Sequence, residues 1–424
     1  MLTGTTARIE NPLDFDIGKV YFYLFLFFAL FLLIDPFYTG YGAFRVTRDI
    51  GPLKYTALLF GAGAFFFSLA GMMLKNPRAK QPPWRETLAR AWPLLLFGLY
   101  MLGGALVARN YFDIQETFLP FAIGMVGLPL AVVLFWSVNQ RMLVARRFLQ
   151  ALLLILPVVI GWVVVKRMDG GQAFHIEIFL FVPLGVYFFL ALKQRWLGWL
   201  ILLTNIFLAV VSFKNTAFLV LLLCLVYLIV LGLASKPTRS GSLRRVLVVY
   251  GLLIGLVGGA VGVTYLLQNR EEYLPTGNVD VRKITYEASY TRFLENPLVG
   301  TGFSDSSLID LGTLIVLGDN VLISHSDLLD ILSHGGLIGA GLFVFGFYRV
   351  LARAVRALRS PASAADKAMI HGLLLIVVSG LIVAAFNSPL ITLTVGVMFW
   401  FSTGLLLASA EYVIRQSGSK QGQP

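Results

Sequence analysis

His325 sits in Ser324-His325-Ser326-Asp327, directly ahead of an apolar run that carries Asp330, His334, Gly335, Gly336 and Gly339. Imidazole is the side chain whose ordinary titration lies near neutral pH. At the edge of a hydrophobic segment it is placed to act as a general base on a hydroxyl brought by a water-soluble partner, while a second substrate stays in lipid. Upstream, Arg282, Tyr286 and Tyr290 follow one another at intervals of four, so a helix would set them on one face and present a cation beside sugar-stacking rings. Lys214, in Ser212-Phe213-Lys214-Asn215-Thr216, is a charge in a short turn between two apolar runs. Each residue also has a plainer reading. A histidine at a helix start can be an interfacial polar group, Lys214 can snorkel from a helix end, and Arg282 can lie on a solvated face. His334, inside the apolar run, reads as a buried and satisfied histidine.

Other chemistries find little support in the spacing. The four histidines, His175, His325, His334 and His371, form no His-x-x-x-His or His-Glu-x-x-His pattern, and the single cysteine, Cys224, lies among Leu and Val. No metal is expected on those ligand spacings. Gly300-x-Gly302 lacks the continuation of a nucleotide loop and reads as a tight turn after Asn296-Pro297. No cofactor is expected.

The elements that must hold these residues are membrane spans. The chain has 424 residues, 58% hydrophobic and 13% charged, where a soluble domain carries about 25% charged residues. Mean hydropathy is +0.80. Apolar runs of spanning length recur at about 20–38, 55–74, 89–108, 118–136, 148–165, 174–192, 196–212, 216–233, 246–267, 328–348, 369–386 and 389–410. The expectation is an all-α, polytopic membrane protein of about twelve transmembrane helices, a single integral domain over 1–424. With the N-terminus inside, Lys and Arg favour the inner loops by about two to one, which predicts both termini in the cytoplasm. The net charge of +12 is then a topology signal, and no nucleic acid is expected as a partner. The longest polar stretch, 268–326, falls outside between spans nine and ten. Unlike the rest of the chain it is acidic. Its run 281–294, free of Gly and Pro, predicts a helix capped by Asp280 and stopped by Asn296-Pro297.

In order and spacing these motifs resemble the bacterial O-antigen ligases and the related repeat-unit polymerases. The resemblance rests on His325-Ser326, nine residues, then Gly336-x-x-Gly339, and upstream on Arg282 followed by Asn296-Pro297-Leu298-Val299-Gly300-Thr301-Gly302-Phe303. One departure stands out: where the family often has Ser-Arg before span eight, this chain has Lys214-Asn215-Thr216, which keeps the charge and loses the bidentate fork. The resemblance implies a metal-independent glycosyltransferase in the bacterial inner membrane. Its donor would be a glycan on undecaprenyl pyrophosphate and its acceptor a sugar hydroxyl at the periplasmic face. His325 would be the base and Arg282 the cation facing the leaving pyrophosphate. Lys214, in the outer turn before span eight, and Arg292, Tyr286 and Tyr290, in the 268–326 periplasmic loop that carries part of the site, would contact substrate. Gly335, Gly336 and Gly339 would let that loop pack on the helix start.

Within the family the sequence leans towards a polymerase for exopolysaccharide or O-antigen, with a chain-length regulator and a flippase as candidate partners. The alternative is a ligase with lipid A-core as acceptor. A third reading, a flippase or transporter of lipid-linked glycans, is disfavoured because polar residues concentrate in the outer loop and no repeat halves are visible.

Overall fold

The computed structural model describes residues 83–107, 118–138, 141–168, 178–191, 195–212, 215–234, 277–302, 308–310, 321–323 and 326–421. The expected spans at 20–38, 55–74 and 246–267 lie outside these, as do His175, Lys214 and His325. The described elements are α1 (Pro83–Arg90), α2 (Trp92–Val107), α3 (Leu119–Ser137), α4 (Arg141–Met168), α5 (Ile178–Ala191), α6 (Arg195–Ser212), α7 (Asn215–Ala234), α8 (Gly277–Glu295), β1 (Leu308–Asp310), β2 (Val321–Ile323), α9 (Asp327–Arg359), α10 (Ala364–Phe386) and α11 (Leu393–Gln421).

The fold is helical and built for a membrane. Among the described residues five helices are long and apolar enough to cross one: α3, the Arg141–Gly161 part of α4, α9, α10 and the Val395–Gly418 part of α11. The pair α1 and α2 would make a sixth span, bent by 68°. Its elbow follows from sequence: Pro93 has no N–H to continue the ladder of α1, so the chain turns at Ala91 and a new helix starts. Thus the span expected from 89 begins at 92. Two further expectations need correction. The loop helix starts at Gly277, so Asp280 lies within α8 and does not cap it; the helix breaker upstream is Pro275, and nothing between it and 280 stops a helix. The polar loop also contains a two-stranded antiparallel ribbon, β1 with β2, pairing Leu308 with Ile323 and Asp310 with Val321. Its strands are short runs of aliphatic residues, Leu-Ile and Val-Leu-Ile, which an all-helical reading of the chain overlooks.

The core is aromatic where the spans meet. Trp400 of α11 packs edge-on against Phe121 of α3 and Phe343 of α9, and Phe97 of α2 meets both phenylalanines at 5.7 and 5.3 Å between ring centroids. Small residues let α3 and α11 approach backbone to backbone: a Cβ at Gly127 would lie 2.7 Å from the Val397 carbonyl, and one at Gly404 would meet the Leu128 carbonyl. Such contacts replace the hydrophobic drive that lipid removes.

Candidate active site

The start of α9 is held by an unusual exchange of backbone bonds. At Gly336 the helix leaves α geometry, with φ 59° and ψ −163°. In an unbroken helix the N–H groups of Leu337 and Ile338 would bond the carbonyls of Ser333 and His334. Here Leu337 donates to Pro297 O at 2.8 Å and Ile338 to Leu298 O at 3.1 Å. The two freed carbonyls accept instead from the loop: Thr301 N to Ser333 O at 2.9 Å and Gly302 N to His334 O at 3.0 Å. The loop 297–302 thereby inserts into the break and satisfies both cut ends, which buried backbone requires.

Glycine is needed on both sides of this junction. A Cβ on Gly336 would fall 2.5 Å from Gly300 N and from the Leu298 carbonyl, and Gly300, itself at φ 74°, would drive one into the His334 carbonyl. The Tyr100 hydroxyl of α2 donates to Val299 O at 2.7 Å and fixes the outer side of the loop. Gly300-x-Gly302 does make the turn read from the sequence, closed by Gly300 N to Asn296 O at 2.8 Å. Of the three glycines expected to let the loop pack on the helix start, Gly336 faces the loop, whereas a Cβ on Gly335 or Gly339 would meet Met101 and Tyr100 of α2.

Ten residues before the break, nearly three turns, Ser326 caps α9, accepting from Leu329 N at 3.3 Å. Asp327 is buried; its N–H donates to Asn387 O at 3.2 Å and its Oδ2 accepts from Leu390 N at 2.7 Å. Both partners belong to the turn 387–391 between α10 and α11. The same region takes Arg282 from α8, whose Nη1 donates to Phe386 O at 3.2 Å. It also takes α7, because Asn387 Nδ2 donates to Thr216 Oγ1 at 3.0 Å. One short turn thus ties together α8 through Arg282, the first residues of α9, and the first turn of α7. Lys214 and His325 lie outside the described residues; Thr216 and Asp327, each two residues further on, are both bonded to the Asn387 turn.

The other expected residues are spread along α8. Thr285 and Ser289 are its buried side chains, Arg282 and Tyr286 are half-buried beside them, and Tyr290 is exposed, its ring 6.2 Å from that of Phe293. Arg292 is half-buried and comes within electrostatic range of His334. Arg282 and Arg292 are ten residues apart on one helix, about 15 Å along its axis, so the structure does not bring the two cations together. Since Arg282 reaches the turn that holds Asp327, and Arg292 lies near His334, α8 runs alongside the first turns of α9 in the same direction. His334 is 3% exposed, with Nδ1 3.4 Å from Thr301 Oγ1. His371, on α10, pairs with the Tyr227 hydroxyl at 2.5 Å and sits fifteen residues before Phe386, about 22 Å away along the helix.

Beneath the cap of α9 lies a cavity of about 370 Å³, its open side included, walled by Met101, Phe121, Ile331, Leu390 and Ile391 and reached by Asp327, Asp330 and His334. Sequence reasoning passed over Asp327 and the whole 387–391 turn. Asp327 follows His325-Ser326 directly, and a carboxylate at the first position of an apolar helix was the available signal. Among the described residues no three His, Cys, Asp or Glu side chains are grouped to hold a metal.

Residues 200–344 match the family model for O-antigen ligase. The matched stretch, about a third of the chain, contains α7, α8, the inserted loop and the break in α9, and it ends before the 387–391 turn. The family ties this region to the joining of glycans at a membrane, and to an enzyme of the ligase and polymerase kind. No curated protein matches the sequence.

Proposed function

We propose that the protein is a glycosyltransferase of the inner membrane that moves a glycan from undecaprenyl pyrophosphate to an acceptor sugar hydroxyl at the periplasmic face. In this reading the chain forms one integral domain of about twelve spans with both termini in the cytoplasm, and the 268–326 loop carries part of the site. The observation that supports it is the shared anchorage of Arg282 and of residues near His325 and Lys214 on residues 386–390, the last residue of α10 and the turn that follows it.

The chemistry follows from the residue types. His325 takes the proton of the acceptor hydroxyl as that oxygen attacks the anomeric carbon. The bond from that carbon to the pyrophosphate oxygen breaks, and the electron pair leaves with the polyprenyl pyrophosphate. Arg282, with Lys214, faces the charge that grows there, as cations do on departing phosphates without needing a metal. Tyr286, Tyr290 and Arg292 line the approach along α8 and contact sugar.

We favour repeat-unit polymerisation, for exopolysaccharide or O-antigen, with a chain-length regulator and a flippase as partners. The family model's description supports a second reading, ligation to lipid A-core. Purified protein incubated with defined undecaprenyl-linked repeats, with and without lipid A-core, separates the two. Extension of lipid-linked repeats alone supports the polymerase, and glycan appearing only on lipid A-core supports the ligase. No joining to either acceptor overturns the proposal.

A further inference from the structure

The opposite end of α9 carries a second feature, which the glycan reading does not use. Arg353 Nε pairs with the buried Glu411 at 2.7 Å, and around Arg353, within electrostatic range, lie Arg90, Arg349 and Arg356. None of these three has a carboxylate partner among the described residues. They come from two elements, the last residue of α1 and the end of α9, brought together by the 68° elbow. The cluster stands about 25 Å along α9 from the break at Gly336, seventeen residues at about 1.5 Å each, close to the thickness of a hydrocarbon core. It therefore lies at the other membrane boundary from the 387–391 turn.

Next to these guanidinium groups the surface is apolar and exposed. Trp92 and Phe345 meet edge to face at 6.2 Å, and the Arg349 guanidinium lies 6.0 Å and 5.9 Å from their ring centroids. Trp92, Leu96 and Leu99 repeat at helical spacing on α2, and Phe345 and Tyr348 stand on the neighbouring α9, all of them exposed. A cationic cluster at the boundary, with an aromatic step and an aliphatic stripe leading into the membrane, matches a lipid that has a negative head and hydrocarbon tails.

We propose that the elbow of α1 and α2, with the end of α9, binds an anionic phospholipid. Its phosphodiester sits among Arg90, Arg349 and Arg356, and its acyl chains lie along the apolar stripe of α2 and α9. Arg353, already paired with Glu411, holds the shape of the cluster. This site stands apart from the glycan-joining reading, because its ligand is bound and not transformed.

The test is equilibrium binding of fluorescent phosphatidylglycerol to the purified full-length protein in a neutral detergent, with unlabelled competitors. Phosphatidylglycerol is expected to compete at least tenfold better than phosphatidylcholine. Inorganic phosphate and the soluble glycerophosphoglycerol headgroup should compete far more weakly than the whole lipid. The triple variant R90A/R349A/R356A should bind about 10²-fold more weakly, at about fivefold per basic residue. Single Arg→Gln variants with an unchanged Tm, each about fivefold weaker, serve if the triple variant is unstable. Undiminished binding by these variants overturns the proposal, as does phosphatidylcholine competing equally. Phosphate or the free headgroup competing as well as the lipid overturns it too, because the apolar stripe would then play no part.

Discussion

Replacing Gly336 by alanine tests the inserted loop most directly. In the docked state residue 336 must keep φ 59° and ψ −163°, a region that only glycine occupies comfortably, and an L-residue there costs about 1–3 kcal/mol. The new methyl also meets backbone atoms of Gly300 and Leu298, which cannot swing aside as a flexible side chain would. The escape is for α9 to straighten and expel the loop. Leu337 and Ile338 then regain the Ser333 and His334 carbonyls, while the loop loses its partners. Pro297 and Leu298 are exposed, so water can serve their carbonyls. The net loss is about two hydrogen bonds, again about 1–3 kcal/mol. Strain and release are thus of one size, and alanine further favours the straight helix by about 1 kcal/mol. Strain and helix preference together come to about 2–4 kcal/mol, so the docked-to-released ratio should fall about 30- to 700-fold.

Amide hydrogen exchange at Thr301 and Gly302 reads that ratio. Protection should drop by the same factor in G336A and glycan joining should fall with it, while the purified variant keeps its helical content. Gly335→Ala and Gly339→Ala are the controls: their methyls would meet only the Met101 sulfur at 3.2 Å and the Tyr100 ring at 3.3 Å, side-chain atoms that can yield a few tenths of an ångström. Equal exchange in all three variants would refute the idea that the loop is a wedge held by Gly336.

Three more predictions concern the residues proposed as catalytic and their anchor. His325→Ala should lower the rate of glycan joining by about 10²–10⁴-fold while the folded protein still binds lipid-linked donor; a near wild-type rate removes the base assignment. Arg282→Lys keeps the charge but not the fork, and should lower kcat with little change in acceptor KM; an unaffected rate removes a bidentate contact with pyrophosphate. Asp327→Ala leaves the buried N–H of Leu390 without its acceptor, at about 1–3 kcal/mol, whereas Asp327→Asn retains an oxygen for that bond. Thermal unfolding in detergent should therefore rank alanine well below asparagine, and equal Tm values would deny Asp327 its anchoring bond.

The parts legible in the sequence are those where one physical signal dominates. Apolar runs of about twenty residues have few outcomes, so the expected segments at 118–136, 196–212 and 216–233 reappear within a residue or two as α3, α6 and α7. The loop helix was readable because 281–294 has no breaker and Pro297 ends it. Paired glycines at 335 and 336 signalled close packing, but not that backbone bonds would be traded across the break, which depends on a loop over thirty residues upstream. The anchor at 387–391 was invisible for another reason. Asn387-Ser388-Pro389 is an ordinary turn between two apolar runs, and its role comes from what arrives there: a carboxylate from α9, a guanidinium from α8 and the start of α7.

That arrangement has a consequence for how the site would work. The 268–326 segment is joined to the spans by a long polar connection, so α8 owes its place to contacts, not to chain length. It is fastened at two points, Arg282 on the Phe386 carbonyl and the loop 297–302 in the break of α9. The first point lies beside the anchor of Asp327 and the second about two and a half turns further along α9. A helix pinned near one end to the Phe386 carbonyl of α10 and near the other to α9 cannot slide or pivot without breaking hydrogen bonds. The cation on α8 is therefore held in register with the residues that follow His325, a constancy that the proposed transfer requires. Releasing the loop alone, as in G336A, should free the Arg292 end of α8 before the Arg282 end. Exchange protection should accordingly be lost from residues 289–295 more than from 282–288, and a uniform loss would mean that α8 docks as one unit through a single contact.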